Sequence, residues 1–226
     1  MLKPPSHTLD KRRARTLATR TAILDAAEAL VTEDGIGALT TKALVEKAGV
    51  SERTIFNHFS HIDHILIARI TEYITPLFNS DCFSHEEQLH VEKVEDLPDA
   101  IEAKFLARSI LEPEVQSALN KFFTLASAMA QQNHRLLAEN IFQLLMRASV
   151  VGMERLEKEF PQLTVDQRYK IGIYLHNLTF ALGAGFGRGV ETLCDTDSPL
   201  SMPDIEEFIP HFKWAIQQVN QGKPTL

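Results

Sequence analysis

The sequence predicts an all-α protein of about nine helices, because apolar residues recur at spacings of three and four along most of the chain. That spacing is the period of a helix with one buried face, and no strand-like alternation of any length interrupts it. Hydrophobic residues make up 44% of the 226 residues, which is enough for a core and excludes a wholly disordered chain. The class predicted is therefore a soluble helical protein.

The first two helices follow from their apolar spacing and their capping residues. The first is expected over about 20–33, and Gly35 ends it because glycine is the favoured residue just beyond a helix. Thr40 or Thr41 caps a second short helix, since a threonine hydroxyl accepts a hydrogen bond from a free backbone N–H. Gly49 ends that second helix.

The third helix begins after Ser51 and places Ile55 and Phe59 four residues apart on one face. A fourth and longer helix begins at about Asp63. Residues 40–59 therefore form a short helix, a tight turn and a second short helix, which is a helix-turn-helix. The second helix of such a unit has the right size for the major groove of DNA.

The rest of the chain returns to the helical period after one interruption. Residues 79–96 are polar and acidic without clear periodicity, so we expect a loop there. Five further helical segments are predicted, separated mainly by prolines, over about 99–111, 113–129, 134–160, 165–190 and 204–219.

Charge is distributed unevenly along the chain. The formal net charge of −7 argues by itself against nucleic acid, because an acidic chain repels a polyanion. Residues 1–22, however, hold six basic residues and one acidic residue, a net charge of +5, whereas residues 23–60 carry −3. A basic tip on an acidic chain indicates that one end meets an anion.

The composition also predicts a location. No apolar segment follows the N-terminal bases, so a secretory signal is not expected. No run of about 18 apolar residues occurs, so neither a transmembrane helix nor a membrane partner is expected. Two cysteines are too few for a disulfide framework, and a reducing, cytoplasmic location is the expectation.

Residues 20–66 resemble the DNA-binding domain of the TetR family of bacterial repressors. The matching residues are Ile23 to Ala27, Leu30, Gly35, Thr40, Ala48 to Ser51, Thr54, His58 and Phe59. The resemblance implies a homodimer that binds a palindromic operator in double-stranded DNA and responds to a small effector. It also implies a basic flexible arm over 1–17, a helix-turn-helix domain over 18–64, and a helical ligand-binding and dimerisation domain over 65–226.

The resemblance and the side-chain chemistry together predict the residues that meet DNA. Arg53 suits guanine and Asn57 suits adenine as hydrogen-bonding partners. Phosphate and further base contacts are expected from the arm, from the entry of the second helix and from the rest of the third. The full predicted set is Lys11, Arg12, Arg13, Arg15, Thr40, Thr41, Lys42, Ser51, Arg53, Thr54, Asn57 and His58.

Two residues depart from the family pattern at positions that usually contact phosphate. Phe56 stands where a tyrosine is usual, and Ile62 stands where a lysine is usual. Both usual residues contact phosphate, so we expect weaker non-specific binding than in the family at large. Glu52 adds an acid beside the same surface. The bases at 11–15 could compensate by following the DNA backbone or entering the minor groove.

The C-terminal helices hold most of the aromatic residues, most of which we expect in the core. A subset with a few polar neighbours is predicted to line a pocket for an apolar or aromatic effector. The predicted ligand-binding residues are Phe105, Phe122, Phe142, Met146, Arg147, His176, Asn177 and Phe180. Small residues four apart favour a close helix contact, and the family resemblance implies that the last two long helices form the dimer interface. Ala181 and Gly185, with Phe212 on the last helix, are therefore predicted at that interface.

Other functions are weighed against this one. His58, His61 and His64, or Cys82, His85 and His90, could converge on a metal, but ordinary surface positions are favoured, and no cofactor or metal is predicted. No catalytic motif occurs, so an enzyme is not expected. A helical enzyme or ligand carrier, and a DNA-bound protein that acts on a protein partner, stay as alternatives.

Overall fold

Eight α-helices make up most of the described chain. The computed structural model describes residues 6–79, 91–107, 113–193 and 205–222. No strand occurs within those ranges, so the predicted all-α class is confirmed. Single 3₁₀ turns lie at Ile36–Ala38 and Val94–Asp96. The helices are α1 (Ser6–Asp34), α2 (Thr41–Ala48), α3 (Glu52–His58), α4 (Ile62–Asn79), α5 (Leu97–Ala107), α6 (Pro113–Glu159), α7 (Val165–Leu193) and α8 (Ile205–Asn220).

Helix α1 begins earlier than the apolar pattern indicated. The sequence places a flexible arm over 1–17, whereas the structure continues the helix back to Ser6. No glycine or proline interrupts the chain between Ser6 and Asp34, so nothing in the sequence ends the helix. The described part of the basic segment is therefore helical and continuous with α1.

Helix α6 joins two segments that were predicted as separate helices. It runs for 47 residues, but Asn133 inside it has φ −150° and ψ 69°, outside the helical region. The Leu136 N–H donates to the Asn133 side-chain oxygen at 3.1 Å, as it would to a residue that caps a new helix. The predicted break at about 130–133 is thus a joint within one long element.

The helical N-terminal part shares its core with the C-terminal part. Helix α4 passes through the boundary expected at residue 64, and Ile65, Leu66 and Ile70 on it are at most 1% exposed. One continuous hydrophobic cluster joins α1–α4 to α6 and to Phe208 and Phe212 of α8. We call α1–α3 the head and α5–α8 the body, and α4 is the helix that connects them.

The small residues of α7 pack against α8 of the same chain. A Cβ atom placed on Gly185 would lie 2.8 Å from Phe212 Cδ1 and 2.9 Å from Phe212 Cα. Ala181 is 4% exposed and Phe212 is 9% exposed. The close approach that was expected between two chains is therefore made inside one chain, where all three predicted interface residues are already covered.

Candidate nucleic-acid interface

Local capping builds the helix-turn-helix from the residues that the sequence indicated. The Ala43 N–H donates to Thr40 Oγ1 at 3.2 Å at the start of α2, and the Thr54 N–H donates to Ser51 Oγ at 3.2 Å at the start of α3. Between them Gly49 has φ 64° and ψ 31°. Only glycine adopts this left-handed conformation without steric cost, so the tight turn depends on it.

Helix α3 divides into a buried face and an exposed face. Ile55 is fully buried and Phe59 is 6% exposed, so both anchor the helix to the core. Arg53, Phe56 and Asn57 are exposed on the opposite side. No hydrogen bond or ion pair within the described ranges engages Arg53 or Asn57, so both side chains are available to the edges of bases.

The remaining predicted contacts on α2 and α3 are partly engaged within the chain. The Thr40 hydroxyl serves as a cap, and the hydroxyls of Ser51 and Thr54 lie 2.8 Å apart. Thr41 and His58 are half-buried. Exposed Lys42 has no ion pair with any described residue, so among these residues it is the cation that is free to meet phosphate.

The basic segment forms a cationic surface on the extended α1. Lys11, Arg12, Arg13 and Arg15 are all exposed. Arg12 and Arg13, with Thr16, Leu17 and Arg20, line an open groove of about 360 Å³. The four bases are therefore held on the N-terminal half of α1, in a position to follow a phosphate backbone.

A polar network fixes α4 to α1. The Arg69 guanidinium donates to Glu28 at 2.5 Å, to Asp25 at 2.7 Å and to Glu72 at 3.2 Å. The Tyr73 hydroxyl also donates to Glu28. Arg69 and Glu28 side chains are 18% and 15% exposed, so water screens this pair less than a surface pair.

The protonation states of this network are stable. Burial alone would lower the pKa of Arg69, but its hydrogen bond to Glu28 and the charge of Glu28 outweigh burial and raise it. Burial, and the hydrogen bond to Glu28, raise the pKa of Tyr73. Both groups therefore keep their protons at physiological pH. Sequence reasoning missed the network, because its members are more than forty residues apart.

The predicted ligand-binding residues separate into three groups. Phe142 of α6 and His176 and Phe180 of α7 lie together, with the Phe180 ring centroid 5.5 Å from that of Phe142 and 4.8 Å from that of His176. Phe142 is 54% exposed, and Met146 lies one turn further along α6 and is half-buried. Ser149, which sequence reasoning missed, lies there too, with its Oγ 3.0 Å from His176 Nδ1. The other predicted side chains lie elsewhere.

Phe122 stacks within a separate cluster of core aromatics, and is 5% exposed. Arg147 and Asn177 are exposed to solvent. The side chain of Phe105 lies outside the description, although its backbone belongs to α5. These four residues therefore add nothing to the aromatic group between α6 and α7.

The histidine sets give no metal site in the described chain. The His61 and His64 rings pack edge to face with centroids 5.4 Å apart, and His64 Nδ1 is engaged by Ser60 Oγ at 2.7 Å. No group of three His, Cys, Asp or Glu side chains converges within residues 6–79, 91–107, 113–193 and 205–222. The alternative set of Cys82, His85 and His90 lies outside these ranges.

In a helix-turn-helix, the exposed second helix of the pair is the part that enters the major groove of DNA. Residues 23–68 match the family model described as bacterial regulatory proteins, tetR family. This N-terminal segment is therefore similar to the DNA-binding domain of TetR-family transcription regulators.

The chain was also compared with solved structures and with curated proteins. A crystal structure from Mesorhizobium loti MAFF303099, described as a candidate TetR-family transcriptional regulator, is similar at 14% identity with a TM-score of 0.47. The match covers 92% of this chain and 98% of that one. No curated protein matches the sequence.

Proposed function

We propose that this protein is a dimeric repressor that binds a palindromic operator and releases it when a small effector binds the body. The observation that carries the proposal is the exposed face of α3, where Arg53 and Asn57 have no partner among the described residues. The Ser51 cap and buried Ile55 hold that face in place. An ordered, unpaired Arg–Asn surface is the pattern that reads base edges.

Recognition depends on the basic extension more than is usual in the family. Phe56 is 42% exposed and offers no hydroxyl to a phosphate, and Ile62 offers no charge. Lys42 and the four bases at 11–15 are the exposed cations that replace these contacts. Each phosphate that they neutralise adds about 0.9 to the slope of log affinity against log salt.

The test of base reading uses a duplex that the wild-type protein selects from a random-sequence pool. Arg53→Ala is expected to lower affinity for that labelled duplex by roughly tenfold or more at fixed salt, since a bidentate base contact contributes about 1–3 kcal/mol. Arg135→Ala is the matched control, because Arg135 is an exposed arginine of the body, with its side chain 89% exposed. A loss of less than about threefold in Arg53→Ala would contradict the placement of α3, because it falls below the range for such a contact.

A second copy of the chain is proposed to cover an apolar stripe of α7. Val165, Tyr169 and Ile173 recur every four residues and are 61%, 71% and 62% exposed. Exposed apolar side chains that line up on one helix face mark an interaction site. By length and composition alone, one described helix, Val115–Glu159, could also cross a membrane.

The dimer proposal therefore differs from the contact expected from the small residues, because those already pack inside the chain. Ile173→Glu is expected to halve the mass measured by light scattering, since a carboxylate would be desolvated at the interface. Gln162→Glu, an exposed position before α7, is the control for added charge. An unchanged dimer in Ile173→Glu would refute this surface.

The effector is proposed to bind between α6 and α7, beside the rings of Phe142 and Phe180. These rings and His176, which is bonded to Ser149, combine an apolar surface with one polar group for orientation. Phe180→Ala is expected to abolish the thermal shift that the best ligand of a panel of uncharged aromatic compounds produces in the wild type. Phe122→Leu, in the separate core cluster, should retain that shift. If Phe180→Ala keeps the thermal shift, the effector does not bind beside Phe180.

A further inference from the structure

The first turn of α4 is hydrogen-bonded to the joint in α6. One carboxylate oxygen of Asp63 accepts from Gln132 Nε2 at 2.7 Å, and the other accepts from Asn133 Nδ2 at 3.0 Å. Both oxygens of one carboxylate are thus used by two consecutive side chains of the body. Bonds to an ionised acceptor are the stronger kind, so this link is more than an incidental contact.

Asn133 is also the residue at which α6 departs from helical geometry. Its φ of −150° and ψ of 69° open the helix, while its side-chain oxygen accepts from the Leu136 N–H at 3.1 Å. The Asn133 side chain therefore caps the second half of α6 with its oxygen and donates a hydrogen bond to Asp63 of α4 with its nitrogen. Any change in the bend of α6 at this point must move Asp63 or break the bond.

Asp63 lies at the end of α4 nearest to the DNA-reading helix. Helix α3 ends at His58, only four residues before Ile62 begins α4. Ser60 Oγ lies 2.7 Å from His64 Nδ1, which closes the connection between the two helices. Further along α4, Arg69 is bonded to α1 through Glu28. The head and α4 are thus joined at both ends, and Asp63 adds a polar link to α6 beside the shared hydrophobic core.

We propose that Asp63, Gln132 and Asn133 form a clamp that positions α3 for DNA through the joint in α6. The three are positioning residues, because none of them belongs to the exposed face of α3. This inference rests on the proposed DNA-binding function, and it assigns to the joint the control of operator affinity. Bending at Asn133 changes the angle of α3, and the clamp transmits that change.

For the Asp63→Asn variant, the clamp and the charge change predict opposite effects on DNA affinity. Asp63→Asn removes a negative charge close to the reading surface, and charge alone would then strengthen binding to a polyanion. The clamp requires weaker binding, because an asparagine offers one acceptor oxygen where two amide donors arrive. We expect a roughly 10- to 150-fold loss of affinity for the selected duplex, the range for losing a charge-assisted hydrogen bond.

Two further measurements distinguish loss of the clamp from loss of a phosphate contact and from loss of folding. The salt slope of Asp63→Asn should equal that of the wild type, since no cation is lost. Gln132→Ala should weaken binding in the same direction, whereas Gln131→Ala, its exposed neighbour on α6, should leave affinity within about twofold, as expected for a surface change that breaks no bond. Affinity equal to or above the wild type in Asp63→Asn would overturn the clamp and leave the DNA-binding proposal intact.

A measurement without DNA decides the inference even if no duplex is selected. In the free Asp63→Asn protein, the rate of amide hydrogen exchange should rise in α3 (Glu52–His58) and in residues 134–137 of α6. Both segments lose the hydrogen bonds that Asp63 makes in the wild type. Asp166→Asn, which removes a first-turn carboxylate from α7, is the control and should leave α3 unchanged. Unchanged exchange in α3 of Asp63→Asn would show that the bond does not position the reading helix.

Discussion

The close contact of α7 with α8 allows a comparison of two glycines on one helix. A Cβ on Gly185 would meet Phe212 Cα at 2.9 Å and the His211 carbonyl oxygen at 3.0 Å, which are backbone atoms that cannot rotate away. A Cβ on Gly187 would meet nothing within 4 Å. The same change to alanine is therefore expected to have opposite effects at the two positions.

The magnitudes follow from two competing contributions. Alanine is better than glycine in a helix by about 1 kcal/mol, and Gly187→Ala should raise the free energy of unfolding by up to that amount. Gly185→Ala has the same gain, but forcing α8 away from α7 costs about 1–3 kcal/mol. The two variants should thus differ by about 1–3 kcal/mol in stability, whatever the intrinsic gain is.

Thermal unfolding followed by circular dichroism measures the difference. One kcal/mol shifts Tm by roughly 2–4 °C in a protein of this size, so Gly185→Ala should unfold about 2–12 °C below Gly187→Ala. Both variants must be compared at one protein concentration, because dimerisation makes Tm depend on it. Equal Tm values would refute the packing of α7 against α8, and with it the reason for moving the dimer surface to the exposed stripe.

Three further predictions test the head and its bond to α4. Ser51→Ala should lower the free energy of unfolding by about 0.5–2 kcal/mol in urea titration, whereas Ser51→Asn should keep it because asparagine caps equally well. Lys42→Ala should reduce the salt slope of operator binding by about 0.9, and Lys158→Ala on α6 should leave it unchanged. Above pH of about 10, the ordinary tyrosine pKa, stability should fall more steeply in the wild type than in Tyr73→Phe. Folding raises the pKa of Tyr73, so the unfolded chain releases a proton that the folded chain keeps; identical pH profiles would contradict the bond to Glu28.

Local signals predicted the helix-turn-helix correctly because its structure is decided locally. The cap of Ser51 on α3, the cap of Thr40 on α2 and the left-handed turn at Gly49 each involve residues within four positions of one another. The division of α3 into a buried side with Ile55 and an exposed side with Arg53 follows from the helical period alone. These features need no knowledge of the remaining chain.

The partners of distant residues could not be predicted in the same way. The spacing of Ala181 and Gly185 indicated a close helix contact but not whether α8 or a second chain would supply it. Asp63 was predicted to start a helix, and nothing local indicates that Gln132 and Asn133, about seventy residues away, would bind it.

By itself the sequence determined the all-α class, the turn that presents the DNA-reading helix, and the basic character of the N-terminal segment. Those properties depend on period, caps and charge, which act between near neighbours. Only the tertiary structure decided that α7 uses its small face on α8, and that the α6 joint holds Asp63. The physical reason is that several helix faces have a similar apolar or polar composition in the sequence. Which of them becomes buried depends on which distant helix packs closely against it.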